Sequence, residues 1–274
     1  MRVLVTRPRA EALRWVQPLR ERGFDAVALP LIEIRPAPDA APLLQAWRDL
    51  ASFRAVMFVS VNAVRDFFAR RPAEARWPDD TRAWSPGAGT QRALIDADLK
   101  PGQLDSPAED SPRFDSEALW ARVASQVRPG DRILIVRGGE AGDRQGSGRD
   151  WLADQLRAVG AQVLSVMAYV RAMPELTAPE RREAVAGAGG GVWLFSSSQA
   201  ISNLVALLPD QGWAQACAIA THPRIAQAAR DAGFGVVCES RPAMADVMAA
   251  LESLDDIGFR RPVPRLEPGS GPGG

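Results

Sequence analysis

Arg2-Val3-Leu4-Val5-Thr6-Arg7 opens the chain and returns in kind as Arg132-Ile133-Leu134-Ile135-Val136-Arg137. A short aliphatic run between charged residues reads as a strand buried on both faces, the habit of parallel sheets. Each run leads into an amphipathic stretch, Trp15…Leu19 in the first and Leu152…Leu156 in the second, then to Gly23 or Gly160 and a further strand. The echo continues. Phe58-Val59-Ser60-Val61-Asn62-Ala63-Val64 resembles Phe195-Ser196-Ser197-Ser198-Gln199-Ala200-Ile201, and Thr90-Gln91-Arg92-Ala93-Leu94-Ile95-Asp96-Ala97 resembles Ile225-Ala226-Gln227-Ala228-Ala229-Arg230-Asp231-Ala232. The chain is thus two copies of a three-part α/β unit.

Strands are expected at residues 3–6, 26–34, 57–60, 133–136, 163–169, 192–196, 216–220 and 236–238, with a helix over 10–22 and helices between the rest. That alternation predicts an α/β fold of two similar doubly wound parallel-sheet domains. Arg35-Pro36-Ala37-Pro38 and Ala172-Met173-Pro174 interrupt the pattern and mark crossings between domains. The expected division is residues 1–35 plus 172–255 as a discontinuous domain 1, residues 37–169 as domain 2, and a tail over 256–274 rich in Pro, Gly and Arg, expected to be disordered. The Gly-rich stretch 138–148 reads as a mobile loop.

Composition narrows the chemistry. With 274 residues there is room for two domains at ~100–200 residues each, and 33 basic side chains balance 33 acidic ones. A net charge of zero argues against nucleic acid as partner. No apolar run approaches the ~18 residues of a membrane span, and charge in the first seven residues is unlike a signal peptide, so a cytoplasmic protein is expected. One histidine (His222), one lysine (Lys100) and two cysteines (Cys217, Cys238) cannot assemble a four-ligand zinc site, and Cys217 and Cys238 read as buried thiols. If the chain is an enzyme, it is expected to work without a metal and with few conventional acid–base groups. No apolar stripe is left over, which favours a monomer.

Several strands end in hydroxyl or amide residues before a helix: Thr6-Arg7-Pro8, Ser60-Val61-Asn62 and Ser196-Ser197-Ser198-Gln199. Such strand ends line the ligand crevice of a parallel sheet, where the same side chains cap helices and backbone N–H groups face the ligand. Gly87-Ala88-Gly89-Thr90 begins like a dinucleotide fingerprint, but Arg92 stands where the third glycine belongs, so a close-approach turn opening a helix is the better reading. Its counterpart is Thr221-His222-Pro223-Arg224, which turns His222 toward the same crevice or leaves it a structural residue. Arg7, Arg137 and Arg149 stand near strand ends, where a guanidinium fork grips carboxylates. Tyr169, the chain's single tyrosine, ends a strand at a domain crossing, either as a buried aromatic or as a phenol able to donate a proton.

Taken in order, the pattern resembles the uroporphyrinogen-III synthase family. The residues that carry it are Val5-Thr6-Arg7-Pro8, Leu29-Pro30-Leu31-Ile32-Glu33-Ile34, Phe58-Val59-Ser60-Val61-Asn62-Ala63-Val64 and Gly87-Ala88-Gly89-Thr90. They continue with Asp115-Ser116-Glu117-Ala118-Leu119, Ile135-Val136-Arg137-Gly138, Gly148-Arg149, Tyr169 and Phe195-Ser196-Ser197-Ser198-Gln199-Ala200. The resemblance implies two α/β domains joined by a two-stranded linker, with the active site in the interdomain cleft. It implies a linear tetrapyrrole with eight carboxylates, hydroxymethylbilane, as substrate and no cofactor. The reaction would lose water, close the macrocycle and invert ring D. It further implies Tyr169 as the catalytic residue that assists departure of the hydroxyl. Thr6, Arg7, Ser60, Asn62, Ala63, Gly87, Thr90, Arg137, Ser197 and Gln199 would bind the substrate. A transient contact with the preceding enzyme of the pathway would fit the same role. Two features depart from the family pattern: Thr221-His222-Pro223 replaces a Gly-containing turn, and residues 140–147 lengthen the stretch before Gly148-Arg149. A competing reading from another class is a non-catalytic two-lobed binding or sensor protein for a small anionic ligand.

Overall fold

A computed structural model of the chain describes residues 1–108, 115–140 and 151–256. The chain divides into two compact units, Met1–Glu33 with the residues from Met173 onward (unit 1) and Ile34–Ala172 (unit 2). It passes between them twice.

Unit 1 holds a five-stranded sheet. β1 (Arg2–Val5) and β2 (Asp25–Ala28) come from the chain start, and β9 (Val192–Phe195), β10 (Cys217–Ala220) and β11 (Val236–Glu239) from its last third. Their order is β11-β10-β9-β1-β2, with every one of these pairs parallel. Unit 2 holds β3 (Glu33–Pro36), β4 (Ala55–Phe58), β5 (Arg82–Trp84), β6 (Leu104–Asp105), β7 (Arg132–Glu140) and β8 (Gln162–Ala172), in the order β3-β8-β7-β4-β5-β6. Apart from β3, the two sheets correspond strand for strand: β2-β1-β9-β10-β11 in one is β8-β7-β4-β5-β6 in the other. This is the sequence repeat seen in space, with β1 matching β7 and β9 matching β4. The chain enters the two copies at different strands, so their shared architecture is permuted in sequence.

Alternation along each strand feeds two cores. In unit 2, Val56, Phe58, Leu134 and Val136 pack on one face, under α2 (Ala41–Arg48), α3 (Val61–Ala69) and α4 (Ala88–Asp96), with Trp47, Phe67 and Leu94. Their neighbours Ala55, Met57, Ile133 and Ile135 face the other way, toward Leu119 and Val123 of α5 (Ser116–Val123) and Leu152 and Leu156 of α6 (Trp151–Ala158). Runs that are apolar at every position are what a sheet covered on both faces demands. In unit 1, Val3 and Val5 meet Ala12, Val16 and Leu19 of α1 (Arg9–Glu21) and Val247, Leu251 and Leu254 of α10 (Met244–Asp256). On the other face Trp193, Phe195, Trp213 and Phe234 interlock, Trp193 edge-on to Trp213 at 5.2 Å between ring centroids.

The boundaries hold some differences from the sequence reading. The single strand expected over 26–34 is two strands in two sheets. β2 ends at Ala28; Pro30 has no N–H to donate to a ladder; Leu31 donates to the Thr6 carbonyl, and its own carbonyl accepts from Asn203 Nδ2 at 2.7 Å. The chain is thereby turned off the first sheet and re-forms as β3 at the edge of the second. The first residues of the expected mobile loop, Gly138 and Gly139, belong to β7, held in register with Tyr169 and Val170 of β8. Glu140 ends β7, and residues 141–148 of the loop, like Arg149 after it, lie outside the described residues. At the C-terminus, Asp256, expected in the tail, closes α10; the remainder of the tail also lies outside the described residues. Among the described residues, no helix is long and apolar enough to cross a membrane.

Gly23 and Gly160 show why the repeat keeps a glycine after its first helix. Their φ values are +87° and +84°, the left-handed conformation that closes a helix and is costly for any other residue.

Candidate active site

Parallel strands end on one side of their sheet, so the loops that follow them gather there. In unit 2 the turns after β4 and β5, together with the paired strands β7 and β8, carry most of the expected site residues. Ser60 is the N-cap of α3: its backbone is extended, and its Oγ accepts from the Ala63 N–H at 3.2 Å. Ala63 therefore spends its N–H on the cap, and its side chain is buried in the core beside Phe58 and Phe67. Asn62 occupies the same first turn, half-buried. Gly87 is the N-cap of α4 and offers no side-chain cap, while its carbonyl accepts from Thr90 and Gln91. Thr90 is buried on that helix. Ser85, one residue past β5, has a buried hydroxyl with no hydrogen-bond partner among the described residues. Sequence reading passed over it because a serine after a weak strand carries no distinguishing pattern.

Tyr169 is the centre of this group. The register between β7 and β8 shifts after Arg137, which pairs with Met167, whereas Gly138 pairs with Tyr169. The strand expected to end at Tyr169 runs on to Ala172, so the tyrosine lies inside β8, and this bulge brings it level with Gly138, next to the buried Arg137. The phenol ring lies against the bare backbone of Gly138: a Cβ there would stand 2.4 Å from Cζ and 2.8 Å from Oη. The phenolic oxygen is 3.0 Å from Ser60 Oγ. Tyr169 as a whole is only 4% exposed. Gly138, expected to open a mobile loop, instead lies inside β7, and a glycine inside a strand is the signal for such a close approach.

Unit 1 carries the matching strand ends. Thr6 is buried, and its Oγ1 donates to the Leu194 carbonyl at 2.6 Å, so its hydroxyl proton ties β1 to β9. Arg7 lies with its guanidinium carbon 4.2 Å from the Trp15 ring centroid and its Nη1 3.6 Å from Glu11 Oε2. Burial draws its pKa below the usual arginine value, partly offset by Glu11. Arg7, Trp15, Ser196 and Thr221 line a small crevice at the ends of β1, β9 and β10. In the sequence Trp15 is marked only as part of the amphipathic stretch that forms α1. Ser197 is the N-cap of α8 (Ser198–Leu207), accepting from the Gln199 N–H at 3.2 Å. The Gln199 side chain donates to Asn203, which in turn holds Leu31. His222 is the N-cap of α9 (Pro223–Asp231), and its Nδ1 accepts from the Arg224 N–H at 3.1 Å. It occupies in unit 1 the place that Gly87 holds in unit 2. Among the described residues no group of three or more His, Cys, Asp or Glu is placed to hold a metal ion.

Comparison with known proteins supplies what geometry alone does not. The family model for uroporphyrinogen-III synthase HemD matches residues 14–249. The chain belongs to the uroporphyrinogen-III synthase family. It is 27% identical over 239 residues to the uroporphyrinogen-III synthase of Salmonella typhimurium, covering 85% of this chain and 92% of that one. Over 142 residues it is 35% identical to the enzyme of Chlorobaculum parvum, covering 50% and 52% of the two chains. The match to the porphyrin biosynthesis protein HemD of Ruminiclostridium josui, at 27% identity, takes in 52% of this chain and only 28% of that longer protein. Among solved structures, uroporphyrinogen-III synthetase from Helicobacter pylori superposes with a TM-score of 0.58 at 16% identity, covering 93% of this chain and 100% of that one. A mutant uroporphyrinogen III synthase from Thermus thermophilus gives 0.55 at 16% identity, covering 93% and 99%. At such identities the structures speak for the fold, the two-domain α/β architecture of this family, and the sequence matches speak for the family.

Proposed function

We propose that the chain is a lyase that cyclises hydroxymethylbilane to uroporphyrinogen III, with loss of water and inversion of ring D, as a cytoplasmic step of tetrapyrrole biosynthesis. The observation that carries this reading is the placement of the single tyrosine, Tyr169, in β8 against the bulge of β7, with its oxygen 3.0 Å from the Ser60 hydroxyl, in a chain of this family. A neutral phenol is a proton donor. In the proposed step Tyr169 gives its proton to the substrate's terminal hydroxyl, the carbon–oxygen bond breaks and water leaves. The carbocationic chain end is then attacked by the substituted carbon of ring D; the bond from that carbon to its original methylene bridge breaks, and the freed methylene bonds to the unsubstituted α-carbon of the same ring, which inverts it. The phenolate recovers its proton when the rearranged macrocycle loses one, so the protein ends unchanged.

Such a reaction asks more of positioning than of acid–base chemistry, because the reactive groups belong to one substrate and the error to avoid is attack by the wrong carbon. The proposed binding residues suit that task. Arg7 and Arg137 provide guanidinium groups for carboxylates. Ser60, Thr90, Ser197, Asn62 and Gln199 provide hydroxyls and amides. Gly87 leaves the first turn of α4 without a side-chain cap, so the N–H groups of Ala88 and Gly89 can meet an anion. Thr6 contributes mainly by fixing the strand end beside Arg7. No cofactor enters the proposed chemistry, and we propose a monomer.

The test is direct. Purified protein incubated with freshly generated hydroxymethylbilane, followed by oxidation and separation of isomers, should yield uroporphyrin III in large excess over uroporphyrin I. A folded protein that leaves the mixture all type I refutes the assignment and favours a binding protein for a small anion.

A further inference from the structure

We propose that Gly138 and Ser60 are positioning residues for Tyr169, Gly138 as the seat of the ring and Ser60 as the group that orders its hydroxyl proton. The inference rests on the reading of Tyr169 as proton donor. The seat is visible in the geometry. β7 bulges after Arg137, and the glycine that follows pairs with Tyr169. A side chain there would overlap the ring, with an added Cβ 2.4 Å from Cζ and 2.5 Å from Cε2, far inside the contact distance of non-bonded carbons. The obstruction cannot be relieved by turning the far end of a flexible chain, because the phenol ring is rigid and buried.

The second half concerns direction. Ser60 Oγ accepts from the Ala63 N–H at the start of α3, which occupies one of its lone pairs. Its own proton is then free to point to the phenolic oxygen 3.0 Å away. With Ser60 donating to Tyr169, the phenolic proton is released from that contact and can be directed at substrate. The chain Ala63 N–H, Ser60 O–H, Tyr169 O–H polarises each donor in turn, since accepting a hydrogen bond makes a hydroxyl a better donor. A helix cap has thus become part of the acid's support.

The experiment exploits the presence of one tyrosine in the chain. Protein labelled with tyrosine carrying 13C at its hydroxyl-bearing carbon gives one resonance, and the Gly138→Ala, Tyr169→Phe and double variants are assayed for kcat, KM and isomer ratio. Gly138→Ala should lower kcat by about 100-fold, as far as Tyr169→Phe, and shift the resonance while leaving KM within about twofold. In the double variant the losses should not multiply, because Gly138 acts through the phenol. A folded Gly138→Ala protein with the parent resonance, parent kcat, or a loss that multiplies with that of Tyr169→Phe overturns the proposal. If Gly138→Ala does not fold, Ser60→Ala decides: it should move the resonance and lower kcat, with Ser60→Thr restoring both, and an unmoved resonance overturns the proposal. Parent activity in Tyr169→Phe would instead defeat the proton-donor reading, and the resonance would still report whether Gly138 seats the ring.

Discussion

The hydroxyl of Ser60 serves a helix and a tyrosine at once: it accepts from the Ala63 N–H and lies 3.0 Å from the oxygen of Tyr169. Replacing the tyrosine hydroxyl alone tests its weight. Tyr169→Phe should retain the fold and the type III product while kcat falls by about 100-fold, at the lower end of what a general acid supplies. Steady-state kinetics with isomer separation checks both. Undiminished kcat would remove Tyr169 from the chemistry.

Arg7 is largely buried against Trp15, with Glu11 3.6 Å away as a distant partner. Burial has already stripped much of its hydration, so a substrate carboxylate meeting it should gain a charge-assisted hydrogen bond of about 1.5–3 kcal/mol. Arg7→Met should accordingly raise KM by about tenfold or more with a smaller effect on kcat. An unchanged KM would show that the substrate does not use it.

Asn203 holds the Leu31 carbonyl at 2.7 Å where the chain leaves the first sheet. Asn203→Ala leaves that buried carbonyl unpaired, at a cost of about 1–3 kcal/mol. Asn203→Asp should do no better, since a carboxylate cannot donate. Urea unfolding of the three proteins provides the measurement, and equal stability of Asn203→Ala and parent would refute it.

Cys217 lies in the sheet core of unit 1, where burial first, and then Cys238, push its thiol up to about 12. The folded state therefore favours the protonated thiol. This stabilisation is complete below the thiol's unfolded value, near 9, and is lost as pH rises toward 12. Between those limits the parent should lose stability more steeply than Cys217→Ala. Native protein at pH 8 should also leave this thiol unreacted with a disulfide reagent until urea exposes it.

Thr177 and Glu180 cap α7 (Ala178–Ala188) reciprocally, the glutamate accepting from the Thr177 N–H at 2.9 Å. That backbone hydrogen bond leads the effects holding the Glu180 pKa below its ordinary value, with Thr177 Oγ1 and Arg9 assisting. A depressed carboxyl contributes stability above its unfolded pKa and loses it as pH falls through the folded value. Glu180→Gln should flatten that acid limb, and Thr177→Ala should cost about 1 kcal/mol at neutral pH. Thermal unfolding between pH 3 and 7 would reveal either failure.

Much of this was legible in the residues. Phe58-Val59-Ser60 and Phe195-Ser196-Ser197 announced strand, turn and cap, because a buried parallel strand needs an unbroken apolar run and a helix start needs a side-chain acceptor. The strand over 26–34 was misjudged because Leu29-Pro30-Leu31 is apolar throughout, and apolarity does not record which sheet a residue joins. Thr6 and Gln199 were marked as site residues by their position, yet their side chains donate to Leu194 and Asn203. Polar residues at a strand end serve ligand and scaffold alike, and only distances separate the two uses.

The sequence by itself determined the α/β units, their repetition and the family, because hydrophobic period, caps and terminating glycines act over a few residues and recur visibly. Tertiary structure alone decided that the repeat is permuted, with β1 and β9 adjacent across most of the chain as β7 and β4 are within unit 2. It alone seated Tyr169 on Gly138 and beside Ser60. Those contacts join residues far apart along the chain, where no local pattern operates and where the pairing register of two strands chooses which side chain meets which.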